Sequence, residues 1–121
     1  MRAHVIRGEK VLLGLSVKRK GVWTTFGGKP EDRESVEEAL RRELREELGI
    51  EVIAFQRLPD RNRSWDGRPS RIAVFTVTDW TGEPRNHALH EHEAIAWFAR
   101  EELRSLAMAE IARSEALELL V

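Results

Sequence analysis

Three carboxylates define the chemistry this sequence could perform. Across residues 35–48 the apolar side chains Val36, Ala39, Leu40, Leu44 and Leu48 recur at helical spacing. At about 100° per residue, Glu43, Glu46 and Glu47 then share one face. Glu43 and Glu47 fall at the edge of the apolar stripe or inside it, so they point toward the body of the protein. Like charges at these spacings oppose each other by a few tenths of a kcal/mol per pair, roughly. Partial burial adds to that unless cations compensate. Arg41, Arg42 and Arg45 lie on other parts of the wheel, although Arg42 can reach a neighbouring carboxylate. Two readings follow. The acids are the solvated face of a salt-laced amphipathic helix, or they hold a divalent cation. Clustered oxygens suit Mg²⁺, which keeps water and substrate phosphates in its shell. Several carboxylates can hold more than one ion, an arrangement suited to displacement at phosphorus.

The flanking residues favour the second reading. Gly27-Gly28 stands just before the acidic stretch Glu31-Asp32-Arg33-Glu34. Glycine lets the backbone approach a ligand closely, and a free carbonyl can join a metal shell. A plain strand-to-helix turn also uses glycine. The helix has recognisable ends: Ser35 followed by Glu38 is a capping box, and Gly49 suits the left-handed position after the last turn.

The remaining elements follow from period and punctuation. Val5-Ile6 and the run 11–15 flank Arg7-Gly8-Glu9-Lys10, the pattern of a β-hairpin. Residues 22–26 predict a strand ending at Gly27-Gly28. Residues 50–58 and 71–80 predict strands. Residues 59–70, with Asp, Asn, Gly and Pro, predict a loop between them. Thr81-Gly82-Glu83-Pro84 turns the chain, and 94–98 predicts a short strand. From about residue 100 the pattern is helical to 121, broken near Ala107. Its apolar positions Ile111, Ala112, Leu117, Leu119, Leu120 and Val121 predict a helix packed on the sheet or a dimer contact. The fold class is α/β in the α+β sense, a mixed β-sheet with helices packed on it.

Composition narrows the function. The 121 residues, 41% hydrophobic, predict one domain over 1–121. The absence of cysteine excludes disulfides, zinc ribbons and thiol nucleophiles. A net charge of −1, from 20 Lys plus Arg against 21 Asp plus Glu, argues against a binder of nucleic-acid polymer and leaves a single nucleotide open as ligand. No apolar run approaches the roughly 20 residues of a membrane span. Met1-Arg2-Ala3-His4 lacks the apolar core of a secretory signal. The expected location is cytoplasmic, with no membrane partner.

The segment 28–50 resembles the Nudix box. The family pattern is Gly, five residues, Glu, seven residues, then Arg-Glu-apolar-any-Glu-Glu-any-Gly-apolar. Gly28, Glu34, Arg42, Glu43, Leu44, Glu46, Glu47, Gly49 and Ile50 fill every defined position. The resemblance implies a Nudix α/β/α sandwich and cleavage of a nucleoside diphosphate linked to another group. It maps the metal ligands to Glu43, Glu46 and Glu47 with a carbonyl of Gly27 or Gly28. The cofactor it implies is Mg²⁺, with Mn²⁺ as a substitute. Arg42 would orient a helix carboxylate. Glu34 would support the loop and the helix start, and Gly49 the helix end. A carboxylate of the cluster, or one outside the box, would take the proton of the attacking water.

The short chain looks like the compact MutT-type group, which acts on nucleoside triphosphates, oxidised ones included. The resemblance implies a monophosphate and pyrophosphate as products. The alternatives are an ADP-ribose or nucleotide-sugar pyrophosphatase and a non-catalytic nucleotide-binding module. Trp23 lies where many such sequences have tryptophan, but Thr25-Phe26 replaces their frequent Phe-Pro. The asparagine of the MutT-type base pocket is not evident in 103–110. A further metal-binding or basic glutamate is expected before the last strand. Glu91 and Glu93 are the candidates, and Glu91 better matches the family's Glu-His-any-any-Ile-any-Trp arrangement. His87, His90 and His92 in the same stretch are expected to be solvated or hydrogen-bonded and not to form a zinc site. Trp23, Lys29, and Arg63 with Trp65 among the arginines of 61–71, are candidate substrate contacts, since guanidinium matches phosphate and indole stacks on a base. The partner is a nucleotide substrate, and the assembly a monomer or homodimer.

Overall fold

Alternation in the first two strands sends consecutive side chains to opposite sides of one sheet. In the computed structural model, which describes residues 1–65 and 68–121 and the side chains outside 63–69, β1 (Arg2–Arg7) and β2 (Lys10–Ser16) form the expected antiparallel hairpin with Val5 opposite Leu12. Ala3, Val5 and Leu12 enter one apolar cluster, and Ile6, Val11 and Leu13 enter another. Helix α1 (Val36–Leu48) contributes Leu40, Leu44 and Leu48 to the first cluster. Helices α2 (Arg100–Leu103) and α3 (Glu110–Leu119) contribute Leu103, Ala112 and Ala116 to the second. Helices therefore cover both faces, as the α/β/α expectation required.

The stretch 22–26 divides into β3 (Trp23–Thr24), paired with β2, and β4 (Phe26–Gly27), paired with the start of β1. Gly27 thereby lies opposite Arg2. Strands β5 (Glu51–Trp65) and β6 (Arg68–Thr81) pair antiparallel, and β6 runs parallel to β1. Strand β7 (His92–Ala99) lines the other edge of β2 and completes a mixed seven-stranded sheet.

Two expectations are corrected. The segment 59–70 is not a loop: the β5–β6 ladder continues to Trp65 opposite Arg68. Pro59 and Asp60 together stand opposite Ala73, between the pairs Leu58–Val74 and Arg61–Ile72. This bulge accommodates a proline that a regular ladder would exclude. In the C-terminal segment, Ala112 is buried and Leu117, Leu119 and Leu120 pack on the second cluster. Ile111 and Val121 do not, being 45% and 96% exposed.

Helix α3 also buries a charge. Glu115 is 2% exposed, yet its carboxylate accepts from Arg2 Nε and Nη2 and meets His4 Nε2, each at 2.8 Å. Burial pushes this carboxyl up, but the bonds from His4 and Arg2 outweigh it and hold it at about 2. No helix among the described residues is long and apolar enough to cross a membrane.

Candidate functional site

Local bonds fix the register of α1 at both ends. Ser35 Oγ accepts from the Glu38 N–H, and the Glu38 carboxylate accepts from the Ser35 N–H, each at 3.0 Å. At the other end Gly49 adopts φ 70°, a left-handed conformation, and its N–H donates to the Arg45 carbonyl at 2.9 Å. The chain before β7 then covers the last turn. His87 N–H donates to the Glu47 carbonyl at 2.9 Å and Arg85 N–H to the Leu48 carbonyl at 3.1 Å. These bonds satisfy carbonyls that a helix end leaves unpaired. They also carry Glu91 to the acidic face. Asn86 Nδ2 donates to the His92 carbonyl at 2.7 Å, and Glu91 and His92 N–H both donate to the Ala88 carbonyl.

Glu47 is the deepest carboxylate of the box, 4% exposed. Its Oε2 accepts from the Gly27 N–H at 3.1 Å, and its Oε1 lies 3.7 Å from His92 Nε2. No Lys or Arg pairs with it among the described residues. Nearest potential ligand atoms of Glu47, Glu91 and His92 lie within 4.8 Å of one another. Burial drives the Glu47 carboxyl up to about 7; His92 and Gly27 oppose the shift, and Glu43 and Glu91 add to it. Burial likewise pushes Glu43 up against the pull of Arg42, with Glu46 and Glu91 reinforcing it.

Arg42 organises the rest. Its Nε and Nη2 grip the Glu34 carboxylate at 2.8 and 3.0 Å. Its Nη1 donates to Glu43 at 3.1 Å and Glu46 at 3.2 Å, and its Nη2 also donates to the Lys29 carbonyl at 3.2 Å. Glu34 accepts the Glu31 N–H at 3.0 Å, so the loop and the helix are tied through one guanidinium. The Arg42 bond, helped by the Glu31 N–H, holds Glu34 below the usual carboxylate range. The bond to Glu34 in turn raises Arg42. A Cβ at Gly28 would fall 2.4 Å from Glu43 Oε1, so the backbone approaches the acidic face as closely as glycine permits.

The structure thus brings Gly27, Gly28, Glu34, Arg42, Glu43, Glu46, Glu47, Gly49 and Glu91 around one helix. Glu93 is exposed on β7 and outside the Glu47–Glu91–His92 group. The Lys29 side chain is exposed, and its carbonyl is what meets Arg42. Trp23 packs edge-on against Phe98 at 4.7 Å, in the cluster on the face away from α1. Side chains of Arg63 and Trp65 lie outside the described residues. Among the histidines, His90 is exposed and the His87 ring lies against Gly49. His92 is neither solvated nor hydrogen-bonded: it is buried, and both ring nitrogens lack a hydrogen-bond partner. Sequence reasoning missed its place beside Glu47. The adjacent Glu91-His92 pair was the available signal.

The profile of the NUDIX domain matches residues 2–120. The chain is 37% identical over 103 residues to a CTP pyrophosphohydrolase of Escherichia coli (strain K12), covering 83% of this chain and 74% of that protein. It is 41% identical over 63 residues to an 8-oxo-dGTP diphosphatase of Proteus vulgaris, covering 52% of this chain and 56% of that one. The crystal structure of a MutT NUDIX hydrolase from Burkholderia pseudomallei superposes with a TM-score of 0.84 at 32% identity, covering 99% of this chain and 95% of that one. A filled box, a helix-borne acidic cluster and a matching fold along the whole described chain place this protein in the Nudix hydrolase family.

Proposed function

We propose that this chain is a Mg²⁺-dependent pyrophosphohydrolase that converts a nucleoside triphosphate, ordinary or oxidised, to a monophosphate and pyrophosphate. The observation that carries the reading is Glu47: a buried carboxylate among carboxylates, with no Lys or Arg among the described residues to neutralise it. Such a group is poorly placed for stability and well placed for a cation. The donor set fits a hard divalent ion, because it consists of carboxylate oxygens and nearby backbone carbonyls. Glu43, Glu46, Glu47 and Glu91 would hold it, with the carbonyl of Gly27 or Gly28. When bound, Mg²⁺ supplies charge neutralisation at the phosphoryl oxygens. Water attacks one phosphorus, the bridging P–O bond breaks, and the proton of the water passes to a carboxylate. Glu91, half exposed beside Glu47, is suited to accept it. Arg42 holds Glu43 and Glu46 in place while this happens. The relatives named for CTP and for 8-oxo-dGTP support a triphosphate and leave the base open.

The test is a substrate panel with Mg²⁺, run beside Glu47→Ala. It contains ordinary and oxidised nucleoside triphosphates, ADP-ribose, a dinucleoside polyphosphate and NADH. Monophosphate plus pyrophosphate from one triphosphate, lost in the variant, is the expected result. AMP with a sugar phosphate would move the reading to the nucleotide-sugar branch. Binding of a nucleotide with no turnover of any member would leave a binding module instead of an enzyme.

A further inference from the structure

Among the described residues, His92 is the one buried polar side chain aimed at the acidic cluster that the proposed reaction does not use. Its ring is fixed from several directions. Phe26 stands edge-on to it, with ring centroids 5.2 Å apart at 77°. Its backbone is bonded on both sides, N–H to the Ala88 carbonyl and carbonyl to Asn86. Gly14, in the middle of β2, lies directly under it: a Cβ there would fall 2.6 Å from His92 Nδ1 and 2.8 Å from Cγ. Glycine weakens a strand interior unless something must approach the backbone closely. Here the imidazole is that approach. A buried ring nitrogen without a partner is an unfavourable arrangement unless it has a use.

The use lies 3.7 Å away, at Glu47 Oε1. That separation is longer than a hydrogen bond, but bonds at active sites are often long without ligand and tighten when it arrives. The ring cannot easily move. Glu47, on a flexible stem, can. We infer that His92 is a positioning residue for Glu47: its Nε2–H donates to Oε1 and orients the carboxylate toward the cation, with Gly14 conserving the space the ring needs. This rests on the cation-site reading above. Outer partners of this kind orient ligands, and their loss weakens metal affinity or activity about 10- to 100-fold.

The experiment uses Mn²⁺ alone, titrated into the protein and followed by electron paramagnetic resonance, together with Mg²⁺ turnover on the triphosphate that the panel identifies. His92→Phe keeps the ring and removes the donor; His92→Gln keeps an N–H donor. Gly14→Ala displaces the ring without changing it. The expected result is a 10- to 100-fold weaker Mn²⁺ affinity in His92→Phe and Gly14→Ala, with kcat reduced more than KM is raised. His92→Gln should recover most of both. Spin-echo spectra of wild-type protein with Mn²⁺ should show no directly bound nitrogen. If His92→Phe fails to fold, the other two variants carry the test. Wild-type Mn²⁺ affinity in a folded His92→Phe would overturn the inference, as would a Gln variant no better than Phe. A strong nitrogen coupling would overturn it too, by making His92 a ligand. Wild-type protein that binds no Mn²⁺ would overturn the cation-site reading itself, a failure distinguishable from the others.

Discussion

A buried carboxylate without a strong cationic partner should make the cation-free protein less stable than its own variant. Glu47 titrates near 4.5 when unfolded and at about 7 when folded, raised chiefly by burial. A group raised on folding contributes stability that is fully present below pH 4.5 and lost as pH rises through 7. The shift corresponds to about 3 kcal/mol. Glu47→Gln removes the charge while its amide oxygen can still accept the Gly27 N–H. With EDTA at pH 8 the variant should therefore exceed the wild type by up to about 3 kcal/mol, or about 10 °C in melting temperature for a chain of this size. At pH 4.5 the two should converge. Adding Mn²⁺ should reverse the order, since a ligand at about 1,000 times its Kd adds about 4.1 kcal/mol to the form that binds it. Thermal melts by circular dichroism at pH 4.5, 6, 7 and 8, with EDTA or Mn²⁺, measure all of this. A variant less stable than wild type at pH 8 with EDTA would refute the reasoning, because it would mean the Glu47 charge is satisfied without a cation.

Other consequences are separable. Glu115 is the opposite case: held at about 2 by His4 and Arg2, its contribution is present above pH 4.5 and is lost as pH falls toward 2. Glu115→Gln should cost about 3 kcal/mol at pH 7, by leaving Arg2 without its buried partner, and should flatten the acid limb of an unfolding curve. Arg42→Lys replaces a fork that serves three carboxylates and a carbonyl with one ammonium. It should lower kcat about 10- to 100-fold and weaken Mn²⁺ binding, read by steady-state kinetics and titration. Gly28→Ala should move Glu43, a flexible side chain, and leave the core alone. Activity should fall by more than tenfold with a melting temperature within a few degrees of wild type. Glu91→Gln should lower kcat by about 10²- to 10⁴-fold, the range for loss of a general base.

Helix α1 was legible because everything that specifies it is local. The period, the Ser35–Glu38 box and Gly49 lie within one short segment, and the structure shows all three in place. The carboxylates inherit that legibility, since a helix converts spacing into a face. Strands β5 and β6 were legible in their outer halves only. Pro59, Asp60 and Asn62 are turn formers taken singly, and their place in a bulged ladder depends on the partner strand. Ile111 was misread for a different reason: a short helix buries a narrow stripe, and Ala112 and Ala116 hold it. Glu91 was favoured over Glu93 by the family's arrangement alone; the physical difference between them lies in how residues 85–91 are bonded to the end of α1.

Buried charge alone does not mark a functional site in this fold, and the contrast between its two deepest carboxylates shows why. Glu115 violates the rule that acids stay at the surface, but Arg2 and His4 answer it fully on their own side of the sheet. That is a structural solution, held at low pKa by its partners. Glu47 violates the same rule and is answered only by the Gly27 N–H: its other neighbours are Glu43, Glu91 and a histidine just beyond hydrogen-bond range. Two further local anomalies meet at the same place, a glycine inside β2 and an imidazole with both nitrogens unpaired. Departures from local consistency concentrate where a fold must serve chemistry. Three departures linked by contact, from Gly14 in β2 through His92 to Glu47 on α1, are therefore stronger grounds for a cation-holding centre than the number of acids, which a solvated helix face could equally have supplied.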